Sequence, residues 1–319
     1  MCRQLWRRPG RLLLGASAAC LAAGLVAACS SGSSASSSSA GSAASPASAS
    51  SMANAPLAQD VPAAWRGKTL TVAVTVFPPY EVLSNGTITG LDPSLYQALG
   101  QELGVRFNIV QTTFDSIIPG LQSGRYQVAS PMGDFVERQQ VLDMADYAEG
   151  SSSLLVPSSG TFRPTNVMQL CGQTFGIEAG SAEVGVTSVL NQRCKAADKP
   201  AATVRTFPDV SSASVAATSG QIKGVLTDAA ANAYAAQQAK GTFVNLPLSG
   251  GSSIPGWGAT FAMGTPKGSG LAAALVAGLK QLAADGTYKN IFTQYGLMSL
   301  EAIPASDFKV DGSTAHEAS

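Results

Sequence analysis

From Thr69 the chain reads TLTVAVTV, in which Leu70, Val72 and Val74 alternate with Thr71, Ala73 and Thr75. That is the period of a half-buried strand, and it opens an alternation that limits the fold more than anything else in the sequence. YEVLSNGTITG reads as a hairpin turning at Asn85-Gly86. Asp92-Pro93 is expected to cap a helix, Leu95, Leu99 and Leu103 share one stripe of it, and Gly104 stops it. Strand VRFNIV, a helix through Ile117, Ile118 and Leu121 to Gly124, and strand QVAS follow. After about Gly150 the alternation restarts with TFGIEAG, a helix from about Ala182 to Gln192, TVRTF, a helix through Val215 to Thr218, GVLTD, an Ala-rich helix over 229–240 and TFVNL. WGATFAMG, a helix with Leu271, Leu275, Leu279 and Leu282 on one stripe, and TYKNIFTQYG close the body. Strands and helices alternating at this spacing predict mainly parallel sheets joined by crossover helices, in two α/β units of similar size.

The segment before this body is of a different kind. Residues 1–29 carry four arginines, then an apolar run from Leu12 to Ala28, then Cys29. This is the layout of a secretory signal, and the run is short for a membrane span. The tetrad Val26-Ala27-Ala28-Cys29 resembles the bacterial lipobox, which implies cleavage of a signal peptide of residues 1–28 and lipid on the Cys29 sulfur. Arg7-Arg8 followed by Pro9 leaves the export route open between the general and twin-arginine pathways. From Ser30 to about Pro62 the chain is almost all Ser, Ala, Gly and Pro, too polar to offset the entropy of ordering. Residues 29–65 are therefore expected to be a tether, and residues 304–319, ending in DGSTAHEAS, a flexible C-terminal tail.

Loss of residues 1–28 takes away four arginines and no acid, leaving 16 basic and 20 acidic residues. A chain of that balance lacks the basic footprint of a nucleic-acid binder. Of five cysteines, Cys171 and Cys194 remain once the signal is cleaved and Cys29 acylated. An even pair in an oxidising compartment defaults to a disulfide, and no CxxC spacing or nearby His points to metal. The single histidine, His316, lies in the polar tail, so His-dependent catalytic triads and His-ligated metal sites are not expected. No cofactor is expected either.

Only 13% of the sequence is charged, yet SPMGDFVERQQVLDMADY gathers Asp134, Glu137, Arg138, Asp143 and Asp146. VFPPYEV, GLDPSLYQALGQELG, FDSIIPGLQSGRYQV and ERQQVLDMADY occur in an order that resembles the extracellular solute-binding proteins of amino-acid ABC importers. LCGQTFGIEAGS, SGQIKGVLTDAAANAYA, WGATFAMGTPKGSGL and LKQLAADGTYKNIFTQYG extend the resemblance over about residues 66–300. The Cys171/Cys194 pair resembles the branch found in high-GC Gram-positive bacteria. The resemblance implies a periplasmic-binding-protein-like fold of two lobes joined by two hinge crossings. Lobe 1 would be 66–149 plus 255–303 and lobe 2 150–254, with crossings near 148–152 and 253–257. It also implies a monomer, a membrane permease as partner and a place on the outer face of the cell membrane.

Carried over residue by residue, the resemblance puts Arg138 on a ligand carboxylate, which arginine matches with parallel hydrogen bonds, and Asp228 on the α-ammonium. Phe77 and Phe114 would flank the ligand, Tyr80 would pack beneath it, and Gly133 and Gly180-Ser181 would complete the site. The alternative for Arg138 is an ion pair with Glu137, Asp134 or Asp143 on a solvated helix face; for Asp228 it is a helix N-cap, which a ligand contact does not preclude. The chain departs from the family where an acid is usual and it has Val74, where hydroxyl residues are usual and it has Gly133 and Phe135, and at Pro131. Asp134 and Glu178 would enlarge the acidic side and favour a cationic side chain such as that of arginine or lysine, unless both face water. Two other functions share this fold: a ligand-sensing subunit of a signalling system, and an exported cyclohexadienyl-dehydratase-like enzyme using Asp134 or Glu178 as general acid.

Overall fold

A computed structural model describes residues 54–317. The signal peptide, Cys29 and most of the expected tether lie outside the described residues. The element order is β1 (Thr69–Val74), β2 (Val82–Ser84), β3 (Thr87–Thr89), α1 (Leu91–Leu103), β4 (Arg106–Gln111), α2 (Ile117–Gln122), β5 (Val128–Gly133), α3 (Val136–Gln139) and β6 (Leu142–Pro157). It continues with β7 (Thr174–Glu178), α4 (Glu183–Ala196), β8 (Thr203–Phe207), α5 (Val210–Thr218), β9 (Val225–Asp228), α6 (Ala229–Gln238), β10 (Phe243–Leu246), β11 (Gly258–Pro266), α7 (Leu271–Ala284) and α8 (Thr287–Gln294).

The large strands form one path, β4-β1-β5-β11-β6-β9-β7-β8, with β10 also on β6. β1 is parallel to β4 and β5, and β7 is parallel to β8 and β9, so each half has the parallel core that the alternation predicts. The two cores are joined through antiparallel pairings of β6. Its first part, Leu142 to Ser151, lies against β11; from Ser152 onward it lies against β9 and then β10. This 16-residue strand has no clean alternation, because both faces are covered along most of its length and only the stretch around Glu149 is open. One apolar cluster follows it, from Leu95, Leu99, Leu275 and Leu279 through Ala148 and Leu155 to Val210, Ala213 and Val225.

Three local expectations are corrected. Asp92 does not cap α1: Gly90 is the N-cap, and the Asp92 carboxylate turns inward to accept from the Ser130 and Tyr147 hydroxyls. Residues 54–65 are not all tether, because Leu57, Val61 and Trp65 recur every four positions and pack on the core, and the Leu57 amide donates to the Glu102 carbonyl at 2.9 Å. Nor is the segment after α8 loose. Phe308 is fully buried, Val310 bridges Ala145, and the Asp311 amide donates to the Met144 carbonyl at 2.8 Å.

Cys171 and Cys194 form a disulfide that ties the loop before β7 to the last turn of α4, with Cα atoms 5.6 Å apart. Their separation of 23 residues corresponds to about 3 kcal/mol in the chain-entropy account. Reduction, or Cys171→Ser with Cys194→Ser, is expected to lower Tm by roughly 6–12 °C in scanning calorimetry. An unchanged Tm would show that the bridge constrains little.

Candidate functional site

Three strands end at one place. Gly133 closes β5, Glu178 closes β7 and Asp228 closes β9, so carboxyl ends of strands from both halves meet, as open α/β sheets require of a ligand crevice. They line a cleft of about 610 Å³, part of it open to solvent, together with Phe77, Phe114, Arg138 and Ser181.

Asp228 owes its place to register: it lies opposite Ser152, where β6 changes partner. Its Oδ1 accepts from the Ala230 and Ala231 amides, at 2.9 Å each, and so caps α6. Its Oδ2 is buried, beside the Glu301 carboxyl. A Cβ at Gly150 would sit 2.7 Å from that oxygen, so only glycine leaves it uncovered. Burial pushes the Asp228 carboxyl up to about 6, against the pull of the Ala231 and Ala230 amides. Beside it, burial and the Asp228 charge push Glu301 up to about 9, and the Tyr80 hydroxyl donates to Glu301.

Arg138 comes from the other half, on the four-residue α3, and is 5% exposed. Its guanidinium carbon lies 5.6 Å from the Phe114 ring centre and 5.2 Å from that of Phe135, so two rings hold it. It is not paired with Glu137, Asp134 or Asp143. Glu137 accepts from the Glu317 amide at 2.8 Å, and Asp143 pairs with Lys267 at 3.0 Å. The acid on Arg138 is Glu317, whose Oε1 accepts from Nε at 2.6 Å.

The second wall is acidic. Glu178 is 6% exposed, and its carboxyl is pushed up to about 8 by burial, then by Glu183, Asp209 and Asp115. Glu183, in the first turn of α4, accepts from the Ser152 hydroxyl at 3.1 Å. Ser181 Oγ is buried without a partner, just ahead of a helix whose N-terminus has no side-chain cap.

Asp134 is the predicted site residue that stays out of the cleft lining. It is fully buried, with Oδ1 accepting from Gln139 at 2.9 Å and Oδ2 from the Ser313 amide at 3.0 Å. The segment after α8 therefore claims it. Residues absent from the prediction also line the cleft: Thr75, Ser152, Glu183, Thr227, Trp257 and Phe261. Glu183 could have been suspected from its place one turn into a helix after Gly180-Ser181; Trp257 and Phe261 carried no such mark. The departures at 133 and 135 prove to be one change, since a Cβ at Gly133 would lie 2.4 Å from the Phe135 ring. The ring fills the space that a hydroxyl side chain at 133 would need. Among the described residues no group of His, Cys, Asp or Glu is arranged to hold a metal, and no helix is long and apolar enough to cross a membrane.

A sheet of two parallel cores sharing one strand, with a polar cleft at the strand ends, defines a solute-binding protein of the periplasmic-binding-protein type. Residues 70–298 match the bacterial extracellular solute-binding proteins, family 3, and the chain belongs to that family. It is 25% identical over 237 residues to the arginine-binding protein ArgT of Corynebacterium glutamicum, covering 73% of this chain and 76% of that one. Among solved structures, an ancestral arginine-binding protein bound to arginine is 28% identical, with a TM-score of 0.62 over 72% of this chain and 99% of that one. An ancestral amino-acid-binding protein described as a precursor of cyclohexadienyl dehydratase is 26% identical, with a TM-score of 0.58 over 72% of this chain and 95% of that one.

The Glu178 carboxyl fixes the sign of a pH effect. It holds its proton more tightly folded than unfolded, so its contribution is full below the ordinary carboxylate range and is lost as pH rises through about 8. Tm is expected to fall between about pH 5 and about pH 9, and to fall less in Glu178→Gln, which cannot titrate. Calorimetry at each pH checks this; parallel curves for the two proteins would remove Glu178 from the account.

Proposed function

We propose that this protein is a receptor that captures an amino acid between its two halves and delivers it to an ABC importer. The observation that carries the reading is that Arg138, from the half built on β1, β4 and β5, and Asp228, from the half built on β7, β8 and β9, line one cleft. A zwitterion that pairs its carboxylate with the first and its ammonium with the second would bridge the halves. Residues 66–149 with 255–303 and residues 150–254 then act as lobes, moving about the points where β6 and the chain before β11 cross. Glu178 and Glu183 add acid to the second wall, which favours a cationic side chain, in keeping with the arginine-binding relatives. Lipid on Cys29 would hold the receptor at the outer face of the membrane.

A second reading has one observation in its favour: a buried carboxyl in the cleft, Glu178, with its proton held up to about 8, is what a dehydratase would need as general acid. Turnover of prephenate by the purified protein would select it.

Binding of L-arginine measured by calorimetry tests the receptor reading. Truncating one partner of a buried charge pair costs about 2 to 5 kcal/mol, so Arg138→Ala is expected to weaken binding at least about thirtyfold. Asp228→Asn, which keeps the cap on α6 and removes the charge, should do the same. Asp143→Ala, at the Lys267 pair, should change little. Wild-type affinity in both cleft variants would mean that the clamp is elsewhere. For the anchor, Cys29→Ser is expected to give unlipidated protein with unchanged ligand affinity; lipid-labelled protein still on the membrane would sink that part.

A further inference from the structure

The cation assigned to the solute is already engaged by the chain's own carboxylate. Glu317 reaches Arg138 because the segment before it is laid along the first half in steps. Asp311 exchanges bonds with Met144, its amide donating to the Met144 carbonyl at 2.8 Å and its Oδ1 accepting from the Met144 amide at 2.8 Å. The Gly312 and Ser313 amides donate to the buried Asp146 and Asp134 at 3.1 and 3.0 Å. The Val136 amide donates to the Ala315 carbonyl at 2.9 Å, and His316 Nδ1 lies 2.8 Å from Glu137 Oε1. The Glu317 carboxylate then meets the Arg138 guanidinium at Nε.

These steps differ in strength. The anchors at Phe308 and Asp146 are buried, whereas the side chains at the tip are open to water: Glu317 is 36% exposed, His316 65% and Glu137 43%. The tip has less buried surface than the anchors, so it is the part that lets go while the anchors hold. A tip tethered this way stays at high effective concentration near Arg138. Arg138 itself is almost wholly buried, and with Glu317 on Nε its charge is already matched. Its Nη1 donates to the Gly133 carbonyl at 3.4 Å, so a solute carboxylate that takes two parallel hydrogen bonds competes with groups already on the guanidinium.

We propose that the segment leading to Glu317 is a built-in competitor: its carboxylate occupies Arg138 and is displaced when a solute carboxylate binds. This rests on the reading of Arg138 as the carboxylate anchor. The alternative role for Glu317, orienting the arginine for the solute, has the opposite consequence. A tip docked in nine molecules of ten lowers apparent affinity about tenfold.

The test uses the full chain, Glu317→Gln, a chain ending at Ala315 that keeps the Ser313 and Ala315 contacts, and Arg138→Ala. L-Arginine is expected to bind about three- to tenfold more tightly to Glu317→Gln and to the shortened chain than to the full chain, and poorly to Arg138→Ala. Unchanged or weaker L-arginine binding in the two tail variants, with Arg138→Ala still impaired, overturns the competitor and leaves the receptor reading standing. Wild-type L-arginine binding in Arg138→Ala overturns the receptor reading and the inference with it.

Discussion

Everything that positions the cleft follows from β6 belonging to both halves of the sheet. A strand can hydrogen-bond only two neighbours at any residue, so where β6 leaves β11 and takes up β9, between Ser151 and Ser152, the two parallel cores are brought end to end. The change of partner sets the last residue of β9, Asp228, opposite Ser152. It also puts Gly150 against Oδ2 of Asp228, where any side chain would intrude. Any motion of one half against the other has to pass through this strand and through the short approach to β11, because these are the places where the backbone passes between the cores.

Burial, more than pairing, sets the electrostatics of the cleft. Asp228, Glu178 and Glu301 are each taken out of water without a cation beside them, and each carboxyl is pushed upward. Such burial disfavours the charged form of each group. Across the cleft the arrangement is reversed. Arg138 is held between two rings and matched by Glu317, so among the described residues the cation of the cleft lining has a charged partner, whereas Asp228, Glu183 and Glu301 accept only from amides and hydroxyls. The segment after α8 has a second effect on this balance: it supplies amides to Asp134 and Asp146, two carboxyls buried side by side.

Periodicity alone determined much of the architecture. The alternation beginning at TLTVAVTV and restarting after Gly150 foretold a parallel core in each half of the sheet, because a strand between covered faces and a helix on a sheet leave different hydrophobic spacings. The Asn85-Gly86 turn and the stop of α1 at Gly104 were legible for a similar local reason: backbone at positive φ, 50° at Asn85 and 62° at Gly104, restricts the choice of residue. The motif order placed Phe77, Phe114, Gly133, Arg138, Glu178, Ser181 and Asp228 in one set, and the structure brings those seven to one cleft.

What tertiary structure decided was every case in which a polar side chain had two possible partners. Asp92 could have capped a helix, but the hydroxyls of Ser130 and Tyr147, 38 and 55 residues away, claimed it. Asp134 could have faced a ligand, but an amide 179 residues on took its oxygen. The stretch DGSTAHEAS looks like a frayed end because its contacts are backbone amides donating to acids and a carboxylate on an arginine, none of which leaves a hydrophobic period. A sequence records which residues can bury apolar surface at a local spacing; it does not record which distant charge a carboxylate will meet, and here that choice determines whether Arg138 is free or occupied.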